Sequence, residues 1–223
     1  MAYILCIETA TTNCSVALSV NGSVSALIED NSNQFSHAER LHTFIEQVLE
    51  KAKISQHSLD AIAVSKGPGS YTGLRIGVSA AKGLCFALDI PLISIPTLAS
   101  LSLQITSKKG VIIAMLDARR MEVYAAVFSS EELQIRETRA EILTENSFAE
   151  YLEDGPVQFI GSGVQKFAAM CNHKNAIFLN DKLPSAHQMA TMAENKFKIS
   201  DIENVAYFEP YYLKDFMITA PKK

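Results

Sequence analysis

The segment KGPGSYTGLRIGVSAAKGL, Lys66 to Leu84, sets Gly67, Pro68, Gly69 and Gly73 between an apolar run and a stretch of helical composition. Unpaired backbone N–H groups at a helix start, reinforced by the helix dipole, hold anions, so the loop is a candidate phosphate cradle. The residues that would complete one are missing. A Walker A loop ends in Gly-Lys-Ser/Thr, so that lysine reaches the phosphates and the hydroxyl reaches magnesium; this loop ends Thr72-Gly73-Leu74, with Lys66 ahead of it. The G-x-G-x-x-G pattern fails as well, because Thr72 stands where its third glycine would be.

Other chemistry-bearing residues are few. Glu8 closes the first apolar run ahead of the hydroxyl-rich TATTN, and Asp117 closes GVIIAMLD in the second half, placements at which two-lobed phosphotransferases keep an acid near magnesium and phosphate. With Thr9 and the short glycine turn at Gly161 and Gly163, these form a candidate nucleotide-binding set. His37 and His42, five residues apart, point about 140° from each other on a helix and cannot share a metal as an i, i+4 pair does. His57, His173 and His187 stand alone, so no zinc site is expected. Neither Ser70 nor Ser162 sits in a G-x-S-x-G elbow, which leaves a serine hydrolase without support.

The elements that must position these residues come in two similar runs. Tyr3–Ile7 is an apolar strand; Ser15–Val20 alternates up to Asn21-Gly22, the strongest short hairpin signal, and Ser23–Glu29 returns. SHAERLHTFIEQVLEKA has Ser36 and Glu39 at capping-box spacing, with Leu41, Phe44, Ile45, Val48 and Leu49 on one helical face. A strand at Asp60–Ser65, the glycine loop, a helix over Gly73–Leu88 and the strand IPLISIP complete the first run. The second offers strands at GVIIAMLD, Glu122–Phe128 and Leu133–Leu143, a helix at Ser147–Leu152, the strand VQFIG, a helix after Gly163 and a last helix over Ser185–Phe197. The element order repeats although the residues do not. An α/β duplication with mixed sheets is therefore expected, with lobes at residues 1–104 and 105–223 and the last segment free to pack back on the first lobe.

At 223 residues and 48% hydrophobic content, the chain can bury ordinary cores. A net charge of −4 gives no basic face for a nucleic acid, so any RNA contact is expected through a partner. Cys6, Cys14, Cys85 and Cys171 form no C-x-x-C pair, which suits a reducing cytoplasm. The N-terminal run is short and lacks a basic leading region, so it reads as a strand and neither as a signal peptide nor as a membrane span.

Gly73, Gly77 and Ala81 recur every four residues, a smooth stripe that either packs against the protein's own sheet or serves as an intermolecular docking face. Helical glycine costs about 1 kcal/mol relative to alanine, and close packing or function usually offsets it.

ILCIETATTNCSVAL, SHAERL, KGPGSYTGLRIGVSAAKGL, IPLISIPTLASL, DARRMEVYAAVF and EPYYLKDF, in that order along most of the chain, together resemble the TsaB family, formerly grouped with glycoprotease-like peptidase homologues. The resemblance implies an actin-like, Hsp70-like (ribonuclease H-like) two-lobed fold. It also implies a noncatalytic subunit that supports threonylcarbamoyl transfer to the adenosine next to the tRNA anticodon. The implied partners are the TsaD transferase, a larger paralogue, and the ATPase TsaE. Transfer RNA would be met only through the complex, ATP or ADP would have a place at its interface, and a homodimer would form when TsaD is absent. TsaD carries two metal-binding histidines beyond a strand similar to IPLISI, and aligning on that strand puts Thr97 and Leu101 at their positions, so no metal is expected. By the same resemblance the helix after the hairpin and the helix after the glycine loop dock TsaD, through Leu41, Ile45, Leu74, Gly73, Gly77, Val78 and Ala81. Two other readings stand beside this one: an independent nucleotide-binding ATPase-like protein, and a homodimeric degenerate peptidase homologue.

Overall fold

The computed structural model describes residues 1–32, 37–107 and 109–214. Two five-stranded mixed sheets carry the chain, and each is built by the same sequence of moves. In the first, β1 (Tyr3–Glu8), β2 (Cys14–Val20) and β3 (Ser23–Asp30) run antiparallel. β4 (Ala61–Gly67) then adds in parallel on the other side of β1, and β5 (Leu92–Pro96) beyond it. In the second, β6 (Val111–Asp117), β7 (Glu122–Phe128) and β8 (Gln134–Ile142) are antiparallel, followed by parallel β9 (Val157–Ile160) and β10 (Ala176–Leu179). The orders β3-β2-β1-β4-β5 and β8-β7-β6-β9-β10 match strand for strand, which is the duplicated actin-like architecture.

The first sheet is covered on one face by α1 (His37–Ala52) and α2 (Tyr71–Leu88). Leu5 and Ile7 point into that core with Leu41, Val48 and Val78, while Ile4 and Cys6 point the other way. A central strand buried on both faces reads as an unbroken apolar run, which is why β1 does not alternate. Asn21 (φ 50°) and Gly22 (φ 81°) both take left-handed backbone, the geometry of a tight two-residue hairpin turn.

Among the described residues there are four shorter α-helices: α3 (Thr97–Ser102), α4 (Ala149–Asp154), α5 (Val164–Ala168) and α6 (Ala186–Lys198). Phe148, Phe159, Phe167 and Phe178 form an aromatic cluster on one face of the second sheet, with ring centroids 4.9–6.2 Å apart. On the opposite face Leu98 and Leu101 of α3 pack with Ile112, Ala114 and Ile160. Ala186, Met189 and Ala193 of α6 cover the far face of the first sheet. Each lobe thus takes a covering helix from the other side of residue 104, so a cut in the sequence there does not separate two packing units.

Three short elements stand outside the expected order: α3, β10 and a single 3-10 turn at Gln56–Ser58. The cap residue Ser36 and the tail MITAPKK lie outside the described residues.

Candidate docking face beside a closed glycine loop

The glycine loop after β4 is bonded back onto the protein itself. Gly67 N–H donates to Thr97 Oγ1 (3.1 Å) and Ser70 N–H to the Ala10 carbonyl (2.7 Å). Ser70 caps α2 by accepting from Gly73 N–H (3.2 Å), as a helix start requires. A Cβ on Gly69 would collide with Ala10, one on Gly73 with the Thr9 carbonyl and one on Gly77 with Thr9 Oγ1. Thr9 Oγ1 in turn donates to Gly73 O (2.8 Å). The cradle is filled, and its occupant is the chain that leaves β1.

Glu8 and Thr9 are both fully buried. Glu8 Oε1 accepts from Ala10 N–H (2.6 Å), and among the described residues Oε2 meets no donor at hydrogen-bond geometry. Burial pushes the carboxyl up to about 7, against the opposing pull of the Ala10 N–H and the Ser65 hydroxyl. Asp117 is half-exposed but engaged, accepting from Lys166 Nζ (2.8 Å) and Arg119 N–H (2.6 Å). Gly161 (φ 118°) passes so close to the Met115 carbonyl that no side chain fits, and Gly163 N–H donates to that same carbonyl (3.1 Å). Of the candidate nucleotide residues, Glu8 and Thr9 are sealed inside the first lobe, Asp117 is ion-paired, and Gly161 and Gly163 pack closely against β6.

Thr97 and Leu101 are fully buried on α3. Thr97 Oγ1 lies 2.6 Å from Ser65 Oγ, and Leu101 belongs to the apolar cluster under β6. Among the described residues no group of three or more His, Cys, Asp and Glu side chains is placed to hold a metal. His37 Nε2 lies 2.6 Å from the Thr11 carbonyl, which ties the start of α1 to the same β1 exit loop.

All seven expected docking residues face inward. Leu41, Ile45, Gly73, Leu74, Gly77, Val78 and Ala81 are buried within the chain, so they support the two helices without forming their outer surface. The Gly73–Gly77–Ala81 stripe turns to Thr9 and the core because only glycine lets α2 come so close to the β1 exit. For the same reason Gly77→Leu would disturb the fold before it tested any partner. The outer face of α2 carries Thr72, Ile76, Ser79, Gly83, Phe86 and Ala87. Phe86 is 87% exposed, and a Cβ on Gly83 would meet nothing within 4 Å. Gly83 lies six residues beyond Gly77, about 240° round the helix, a spacing in the sequence that separates the two glycines into different faces.

Two mixed sheets of the same strand order, the first carrying a closed glycine loop after β4, define a two-lobed α/β protein of the actin-like, ribonuclease H-like class. The family model for tRNA N6-adenosine threonylcarbamoyltransferase, TsaD, matches residues 31–218. The tRNA threonylcarbamoyladenosine biosynthesis protein TsaB of Escherichia coli is 31% identical over 95% of this chain and 94% of its own length. The TsaB of Haemophilus influenzae is 28% identical over 95% and 93%. The solved structure of YeaZ from Pseudomonas aeruginosa superposes with a TM-score of 0.82 at 26% identity, covering 96% of this chain and all of that one. The chain belongs to the TsaB family of tRNA threonylcarbamoyladenosine biosynthesis proteins.

Proposed function

We propose that this chain is a noncatalytic activator that docks the TsaD transferase through the outer face of α1 and α2 and so supports threonylcarbamoyl transfer to tRNA. The observation that carries the reading is the two-sidedness of α2. Its small-residue face is shut on Thr9, while its opposite face is open and bears a Phe86 ring that the fold does not cover. A helix face of small residues with one exposed aromatic lets a partner helix approach closely and gives it a ring to pack on. The chain holds no cofactor of its own in this reading, and an ATP or ADP would lie where it meets TsaD. TsaE joins at the surface the pair creates, tRNA is met through the complex, and the isolated chain pairs with itself through the same face. The setting is the cytoplasm; among the described residues no helix is long and apolar enough to cross a membrane.

The test is a reconstituted modification assay with TsaD, TsaE, ATP and the enzyme that forms threonylcarbamoyl-adenylate, run with and without this chain. Product that requires the chain, though the chain alone makes none, supports activation; product that is indifferent to it removes the reading. Gly83→Leu is the docking variant, because position 83 is open in the folded chain whereas a side chain at Gly77 would meet Thr9. It is expected to abolish both TsaD binding and activation while the protein stays folded.

A further inference from the structure

The C-terminal stretch beyond α6 runs back over the first lobe and is fixed there at successive points. Glu203 N–H donates to Leu92 O (2.8 Å), and its carboxylate accepts from Ser94 Oγ (2.5 Å). Lys82 Nζ, on α2, donates to the carbonyls of Ala206 (3.2 Å) and Phe208 (3.0 Å). Tyr211 N–H then donates to Lys66 O (2.7 Å), and the Tyr212 ring sits 5.0 Å from Tyr71. The stretch is therefore a strap along one flank of α2, with α1 on the other.

Within the strap, Asn204 organises a turn: its Oδ1 accepts from Ala206 N–H (3.0 Å) and Tyr207 N–H (3.3 Å), and its carbonyl accepts from Phe208 N–H (2.8 Å). Val205 and Phe208 pack inward on the core of the first lobe. Tyr207, between them, is turned out and 83% exposed. It follows the residue whose carbonyl Lys82 holds, and Phe86 stands one helical turn beyond Lys82. Two large aromatics, almost wholly in water, therefore flank one lysine on a fixed framework. The backbone under Tyr207 is fixed by the Asn204 turn, and exposed aromatics on a fixed backbone are the side chains that dominate interface energetics.

We propose that Tyr207, with Phe86, forms an aromatic anchor that extends the docking face of α2 onto the C-terminal strap, and that its occupant is the transferase paralogue. The inference rests on the docking reading above. Charge favours a partner of the same fold: α2 carries Arg75 and Lys82 and no acid, whereas α1 exposes Glu39, Glu46 and Glu50 against one exposed cation, Lys51. A homologous chain presenting its own pair of helices can set an acidic first helix against a basic second one, as across a pseudo-twofold axis. The transferase family model matches this chain over residues 31–218, which spans both helices and most of the strap.

The experiment is calorimetric titration of the cognate transferase into the wild-type chain, Tyr207→Ala, Phe86→Ala and Leu133→Ala, with circular dichroism to confirm that each is folded. Tyr207→Ala and Phe86→Ala are each expected to weaken binding by roughly tenfold or more. Leu133→Ala, which removes an exposed side chain from the turn between β7 and β8, is expected to bind as wild type does. If wild type binds and Tyr207→Ala binds within twofold of it, the anchor is overturned and the docking reading survives. If wild type itself does not bind, the docking reading falls and the anchor with it. Equal weakening by Leu133→Ala overturns the assignment to this strap.

Discussion

Gly77 and Gly83 lie in the same helix and should respond to the same substitution with opposite signs. Replacing helical glycine by alanine is worth about 1 kcal/mol in backbone propensity. At Gly83 nothing stands within 4 Å of the new methyl, so Gly83→Ala is expected to keep that gain and stabilise the fold by about 1 kcal/mol. At Gly77 the methyl would occupy the space of Thr9 Oγ1, which donates to Gly73 O at 2.8 Å in a fully buried setting. Displacing that hydroxyl costs about 1 kcal/mol for the lost bond, and overpacking adds about 1–3 kcal/mol. Set against the propensity gain, the net is a loss of about 2 kcal/mol, so the two variants differ by about 3 kcal/mol. Urea unfolding at fixed pH reads this directly, with midpoints moving apart on either side of wild type and the slope unchanged. A Gly77→Ala protein as stable as wild type would show that α2 does not press on the β1 exit, and the inward assignment of the glycine stripe would fall with it.

Two further outcomes follow from the same corner of the molecule. Glu8 is raised from 4.5 to about 7 by burial, so the folded state holds a proton that the unfolded chain has released. Its cost is absent below about pH 4.5, grows as pH rises towards 7 and is complete above that, reaching roughly 3 kcal/mol. Glu8→Gln, which cannot ionise, is therefore expected to gain that much stability relative to wild type between pH 4.5 and pH 8, measured as the difference between their unfolding free energies; a difference that does not change with pH would mean the carboxyl is not sealed. Ser70→Ala removes the acceptor for Gly73 N–H and should cost about 1 kcal/mol by the same denaturation assay, with a null effect refuting the cap.

The elements legible in the sequence are those with a local signal. Asn21-Gly22 marks its turn because two consecutive left-handed residues are needed there, and α1 shows its buried side because Leu41, Ile45, Val48 and Leu49 recur at helical spacing. The short α3 and β10 leave no such trace. The candidate sites were harder to read for a different reason. Glu8, Thr9, Asp117, Gly161 and Gly163 have the types a phosphate site needs, but whether a carboxyl is sealed or an aspartate already paired depends on residues far away in the chain, Ser65 and Lys166 among them.

The sequence by itself determined the two similar runs of elements, the incomplete phosphate loop and the likeness to a family, because each rests on residues close together in the chain. Tertiary structure alone decided which side of α2 meets water. Periodicity defines a face on a helix but carries no information about what covers it, and here the cover is Thr9, more than sixty positions before the glycines it touches. The exchange of α3 and α6 between the lobes, and the strap that holds Tyr207 beside α2, are likewise products of contacts between distant segments. Those contacts turn a glycine stripe of docking appearance into a seam of the core and leave the opposite face of α2 open.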